Sequence, residues 1–169
     1  MARYYWIFGG VAGLFSFVLE FLIFSGRLGF DKSPGVLLAK LGALMICIVF
    51  GSVLIKKLRG SISSARTILG GAMIALICSV ISIGGYTYMS QAKPEFLDAA
   101  KAYSMERWEQ DNADKPEVLE KRAEKVEEVD SSYSLRSYVA FTLIGYLVSG
   151  LLVSIFTAAF IARKNFLAN

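Results

Sequence analysis

Apolar residues fill four runs of this chain with almost no interruption, at 5–25, 36–55, 67–89 and 138–162. Each run holds about 20 residues or more, enough for a helix rising ~1.5 Å per residue to cross a ~30 Å hydrocarbon core. Only helices and closed barrels satisfy their backbone amides in lipid. These runs lack the alternation of a barrel strand and are about twice too long for one. A water-soluble bundle would show a charged or polar stripe every three or four residues, whereas 67–89 and 138–162 contain no charge and the other two runs one each. The pattern predicts an all-α polytopic membrane protein. Transmembrane helices one to three occupy 1–89, a polar unit occupies 90–137, and helix four with a cytoplasmic tail occupies 138–169.

The polar unit has a periodicity of its own. Lys93-Pro94-Glu95 reads as a helix start, with proline early and an acid in the first turn. Phe96, Leu97, Ala100, Tyr103 and Trp108 recur behind it at helical spacing. A second start at Asp114–Glu117 precedes Val118, Leu119, Ala123, Val126 and Val129. Two amphipathic helices are expected, near 94–110 and 116–130, forming a hairpin. Its apolar stripes have three possible uses: packing on each other, lying on the membrane, or receiving a partner at Phe96, Leu97, Tyr103 and Trp108.

Charge then sets the expected orientation. The second connection carries Lys56, Lys57, Arg59 and Arg66 with no acid, the N-terminus has Arg3, and the C-terminus has Arg163 and Lys164. Short Lys- and Arg-rich segments stay cytoplasmic, which places both termini inside and 90–137, rich in acids, outside. Tyr4, Tyr5 and Trp6 at one level, with Tyr86, Tyr88 and Tyr138 at the other, suit interfacial belts. The first run has no convincing small-residue cleavage site after Phe24, so it is expected to stay as a helix. The expected location is a cytoplasmic membrane, crossed four times.

Composition narrows the chemistry. With 169 residues, 55% of them hydrophobic, and a mean hydropathy of +0.53, the chain is too apolar for an ordinary soluble domain. The net charge of +4 is segregated by loop, so it does not point to nucleic acid. There is no histidine, the commonest metal ligand and proton shuttle. Cys47 and Cys78 both fall mid-membrane and read as small packing residues. No phosphate-cradling loop, nucleophile–base arrangement or metal-ligand spacing is present, so no catalytic residue, cofactor or metal is expected.

Three ordered stretches carry a resemblance. They are Lys57-Leu58-Arg59-Gly60-Ser61-Ile62-Ser63 with Gly70-Gly71-Ala72-Met73-Ile74-Ala75-Leu76; Pro94-Glu95-Phe96-Leu97 with its charged hairpin; and Gly145-Tyr146-Leu147-Val148-Ser149-Gly150-Leu151-Leu152 leading to Ala162-Arg163-Lys164. Together they resemble the bacterial integral-membrane family called domain of unknown function forty-one ninety-nine, over most of the chain after Val36. The resemblance implies a small four-helix membrane protein and no assigned activity, and it brings no functional residues with it. Ser64-Ala65 departs from the pattern expected at the start of the third helix.

Two residues stand out inside the apolar runs. Glu20 costs roughly 2.5–3.5 kcal/mol at mid-membrane unless paired or close to the interface. Lys40 lies at a similar depth on the antiparallel second helix, ~7 Å below the outer boundary at 1.5 Å per residue. The alternatives are an intramembrane Glu20–Lys40 pair, two side chains that snorkel separately to the interface, or a proton or cation site built on Glu20. Small residues recur every fourth position at Gly9 and Gly13, at Gly71, Ala75 and Ser79, and at Gly150, Ser154, Ala158 and Ala162. Such stripes allow close helix approach, either within the bundle or at an oligomer or partner interface. Ser79, Ser82, Thr142, Ser149, Ser154 and Thr157 either line a polar seam or bond back to the preceding turn. Lys56, Lys57, Arg59 and Arg66 would attract anionic headgroups or act only as topology determinants.

These features favour a non-enzymatic scaffold or accessory subunit of a membrane complex. The alternative is a small oligomeric transporter or channel using Glu20. Expected partners are the lipid bilayer, anionic lipid headgroups, and a membrane-protein partner or second copy of the chain.

Overall fold

The computed structural model describes residues 2–161. Ala162, Arg163 and Lys164, which closed the fourth-helix stripe and the basic C-terminus in the sequence, lie outside the described residues. Among the described residues seven α-helices follow one another: α1 Ala2–Phe24, α2 Ser33–Arg59, α3 Ser64–Ala92, α4 Pro94–Asp111, α5 Pro116–Leu119, α6 Arg122–Ser132 and α7 Leu135–Ile161. A single 3-10 turn at Phe30–Lys32 leads into α2, and no strand occurs among the described residues. α1, α2, α3 and α7 are long and apolar enough to cross a membrane. In the bundle α1 and α7 each pack between α2 and α3.

The long helices end at capping signals rather than where hydropathy fades. Pro34 sits in the first turn of α2, where a missing N–H costs nothing. Gly60 closes that helix with φ +73°, a left-handed conformation suited to glycine. The Ser63 side chain accepts a hydrogen bond from the Arg66 N–H and starts α3. As a result Lys56, Lys57 and Arg59 ride on the last turn of α2 instead of forming a loop. α3 likewise runs on to Ala92, and α7 begins at Leu135.

The second helix expected at 116–130 is corrected to two pieces, α5 and α6. The Lys121 N–H bonds the Val118 carbonyl three residues back, a tight turn that ends the first piece. α6 then packs against α4. Arg122 Nε meets Glu109 Oε1 at 2.7 Å, and Lys101 Nζ meets Asp130 Oδ1 at 2.8 Å.

Polarity is inverted relative to a water-soluble bundle. Ser16, Glu20, Ser52, Thr67, Ser79, Ser82, Ser154 and Thr157 are buried, while Leu38, Phe50, Phe141, Ile144 and Phe156 face outward. The small-residue stripes account for the close packing inside. A Cβ on Gly9 would stand 2.7 Å from Ile77 Cβ, and one on Gly13 would stand 2.8 Å from Ile81 Cβ, so both serve the α1–α3 contact. Gly71 faces the Ser154 side chain and Gly150 faces Ala75, which joins α3 to α7. Ser79, buried, bonds back to the Leu76 carbonyl, and Ala158 is buried too. Ser154 and Thr157 bond back to Gly150 and Val153.

Two expected belt residues turn inward. Tyr86 is only 1% exposed and stacks on Tyr138, with ring centroids 3.7 Å apart and planes 5° apart. The reason is polar: Tyr86 OH donates to the Tyr133 carbonyl at 2.5 Å, tying α3 to the segment that enters α7. Tyr86→Phe removes that bond, which is worth about 1 kcal/mol in a typical case. Faster cleavage between α6 and α7 in limited proteolysis is the expected readout, with the span helices still intact by circular dichroism.

Candidate functional site

The buried charged pair of the bundle and its tyrosine partners gather at the end capped by α4 and α6. Glu20 lies one turn from the end of α1 and Lys40 two turns into α2, so the antiparallel helices bring them level. Lys40 Nζ donates to Glu20 Oε1, and the two side chains are 12% and 8% exposed. Tyr138 OH, from α7, donates to the same oxygen at 2.6 Å. One carboxylate oxygen thus accepts from two helices, while buried Glu20 Oε2 has no partner among the described residues.

A second layer lies one turn deeper. Tyr146 OH donates to Ser16 Oγ at 3.0 Å, and Ser16 Oγ sits 3.9 Å from Cys78 Sγ. Lys40 Nζ is 5.9 Å from the Tyr146 ring centroid, within the range of cation–π attraction. Cys47 and Cys78 are both free and buried. Below this layer Ala12, Leu44, Ile48, Ile74 and Ala75 close the core.

Two hollows reach the ion pair. A cleft of about 590 Å³ lies between the pair and the capping helices, lined by Phe24, Tyr86, Tyr103, Ser104, Arg107 and Tyr133 among others. A second hollow of about 250 Å³ comes in between α2 and α7, past Leu37, Leu41, Phe141 and Gly145. Glu20, Lys40 and Tyr138 line both.

The other candidate residues are spread out. Phe96 packs edge-on against Phe21 with centroids 6.2 Å apart, and Tyr103 stacks on Phe30 at 5.3 Å. Trp108 lines a hollow between α4 and α6, and Leu97 is half-buried. Phe96 and Tyr103 are thus engaged within the chain. Lys57, Arg59 and Arg66 are exposed at the opposite end. Lys56 differs from them: its Nζ donates to the Ile161 carbonyl at 2.6 Å, at the end of α7. Among the described residues no cluster of His, Cys, Asp or Glu is arranged to hold a metal.

Sequence reasoning missed Ser16, Tyr138 and Tyr146 as members of the site. For the two tyrosines the signal was the spacing Tyr138-x-x-x-Thr142-x-x-x-Tyr146, a polar row along the first half of α7. The family described as "Protein of unknown function (DUF4199)" matches residues 7–163. No curated protein and no solved structure matches the chain.

Proposed function

Since the chain belongs to the DUF4199 family, described only as of unknown function, we propose its role from its own geometry: a non-enzymatic membrane scaffold or accessory subunit. The observation that carries this reading is the closed core beneath the Ser16–Tyr146 layer. Below it Ala12, Leu44, Ile48, Ile74 and Ala75 pack together, and the buried hydroxyls of Ser79, Ser154 and Thr157 bond back to their own helices instead of lining a path. Lys40 donates to Glu20, so its ammonium is held as a structural cation rather than freed as a nucleophile. The proposed setting is the bacterial cytoplasmic membrane, with the Lys56–Arg66 connection inside and α4–α6 outside, as the positive-inside rule favours. Lys57, Arg59 and Arg66 would then meet anionic headgroups, each worth about 1 kcal/mol. A membrane-protein partner would dock on the outward apolar rows or on the charged exposed face of α4–α6.

A second reading, an oligomeric transporter using Glu20, is favoured by the open cleft that reaches that carboxylate. Native mass measurement after mild extraction from source membranes separates the two. A stoichiometric foreign subunit supports the accessory role. A homo-oligomer or lone chain would overturn it, and flux through vesicles containing Glu20→Gln would then test transport.

A further inference from the structure

We infer that the two hollows meeting at the Glu20–Lys40 pair form one binding site for a phospholipid whose headgroup carries a primary ammonium. This goes beyond the scaffold reading and does not depend on it. The shape comes first. The larger hollow, about 590 Å³, falls within the ~300–1,000 Å³ of ordinary ligand sites. The smaller one enters from the side, between α2 and α7, where Leu37 and Phe141 are 55% and 74% exposed. On a helix surface that apolar, such an entrance admits molecules dissolved in the bilayer rather than in water. An acyl chain suits the passage lined by Leu41, Phe141 and Gly145, and the headgroup then arrives at the cleft above the ion pair.

Charge decides which headgroup. Glu20 is 93% buried by its 7% exposure, yet its Oε2 has no donor among the described residues. An orphaned buried acceptor is costly, and an incoming N–H relieves it. The cleft that Glu20 lines is also walled by Phe24, Tyr86, Tyr103 and Tyr133, and aromatic rings suit a cation better than an anion. Arg107 lines the same cleft with its Nε 3.9 Å from Asp111 Oδ2, and its remaining guanidinium N–H groups can meet the phosphate. The Glu20–Lys40 pair is already neutral, so a zwitterionic headgroup adds no net buried charge, whereas an anionic lipid would. A choline headgroup has the charge but no N–H for Oε2.

The full-length protein, reconstituted in vesicles of equal parts dioleoyl phosphatidylethanolamine, phosphatidylcholine and phosphatidylglycerol, is extracted in mild detergent and weighed by native mass spectrometry. One ethanolamine lipid per chain is expected, retained roughly tenfold over each of the other two, as one charge-assisted hydrogen bond allows. Gly145→Trp fills the side passage at a position where an added Cβ meets nothing within 4 Å, and should abolish retention. Gly84→Trp, equally unobstructed but lining neither hollow, should keep it. Glu20→Gln should bring the three lipids to equal retention. Equal retention of all three by the unaltered protein overturns the proposal. So does ethanolamine lipid persisting at full occupancy in Gly145→Trp.

Discussion

Replacing Lys40 with methionine is expected to destabilise the folded bundle by about 3–5 kcal/mol, the usual consequence of stranding one member of a buried ion pair. Glu20 would keep the Tyr138 hydrogen bond but lose its cationic partner at 8% side-chain exposure. The carboxylate could then stay folded only by taking up a proton or by drawing water into the cleft. Chemical unfolding in mixed detergent micelles reads the loss, and steady-state accumulation in membranes should fall with it. The informative comparison is the double substitution Lys40→Met with Glu20→Gln. Removing both charges together discards the stranded ion, so the double variant should recover most of the loss. A double variant as unstable as the single one would mean that Lys40 contributes by packing along its aliphatic stem instead. A single variant of unchanged stability would mean that Glu20 reaches water without help, as an independently snorkelling pair would.

The four long helices were plain in the sequence because an uninterrupted apolar run of that length has few physical outcomes. Their ends were less plain. Hydropathy marks where a chain leaves an apolar medium, while Gly60, Ser63 and Pro94 mark where a helix stops or starts, and the two differ by several residues here. Matching the depths of Glu20 and Lys40 needed only rise per residue and antiparallel order. The remaining members of the site were hidden because tyrosine is ambiguous. At a helix end it suits a membrane interface as well as it suits a buried hydrogen bond. Tyr86 and Tyr138 were expected at the surface and instead stack inside, since the Glu20 carboxylate and the Tyr133 carbonyl give their hydroxyls partners. The break between α5 and α6 had no glycine or proline to announce it.

The same bundle predicts a sharp positional rule for glycine. Gly150→Leu should abolish the native packing of α7 on α3, while Gly145→Leu, little more than one turn away on the same helix, should fold normally. A Cβ on Gly150 would overlap Ala75 and lie 3.5 Å from the Gly71 carbonyl, whereas one on Gly145 meets nothing within 4 Å. Overpacking of an apolar core typically costs about 1–3 kcal/mol when side chains can yield. Here the obstacle is a methyl group fixed directly to a helix backbone, so the helices themselves must separate. Separation would also part Gly71 from Ser154 and withdraw α7, with Tyr138 and Tyr146, from the ion pair and from Ser16. The damage is therefore expected to exceed that upper figure of ~3 kcal/mol and to reach the cleft some distance away. Thermal unfolding of both variants in one detergent tests this, with an engineered cysteine pair across α3 and α7 reporting whether the helices remain in contact. A Gly150→Leu protein that melts with the unaltered one would show that the α3–α7 contact is looser than these distances imply. In that case the stripe of small residues would be free to serve a partner's helix.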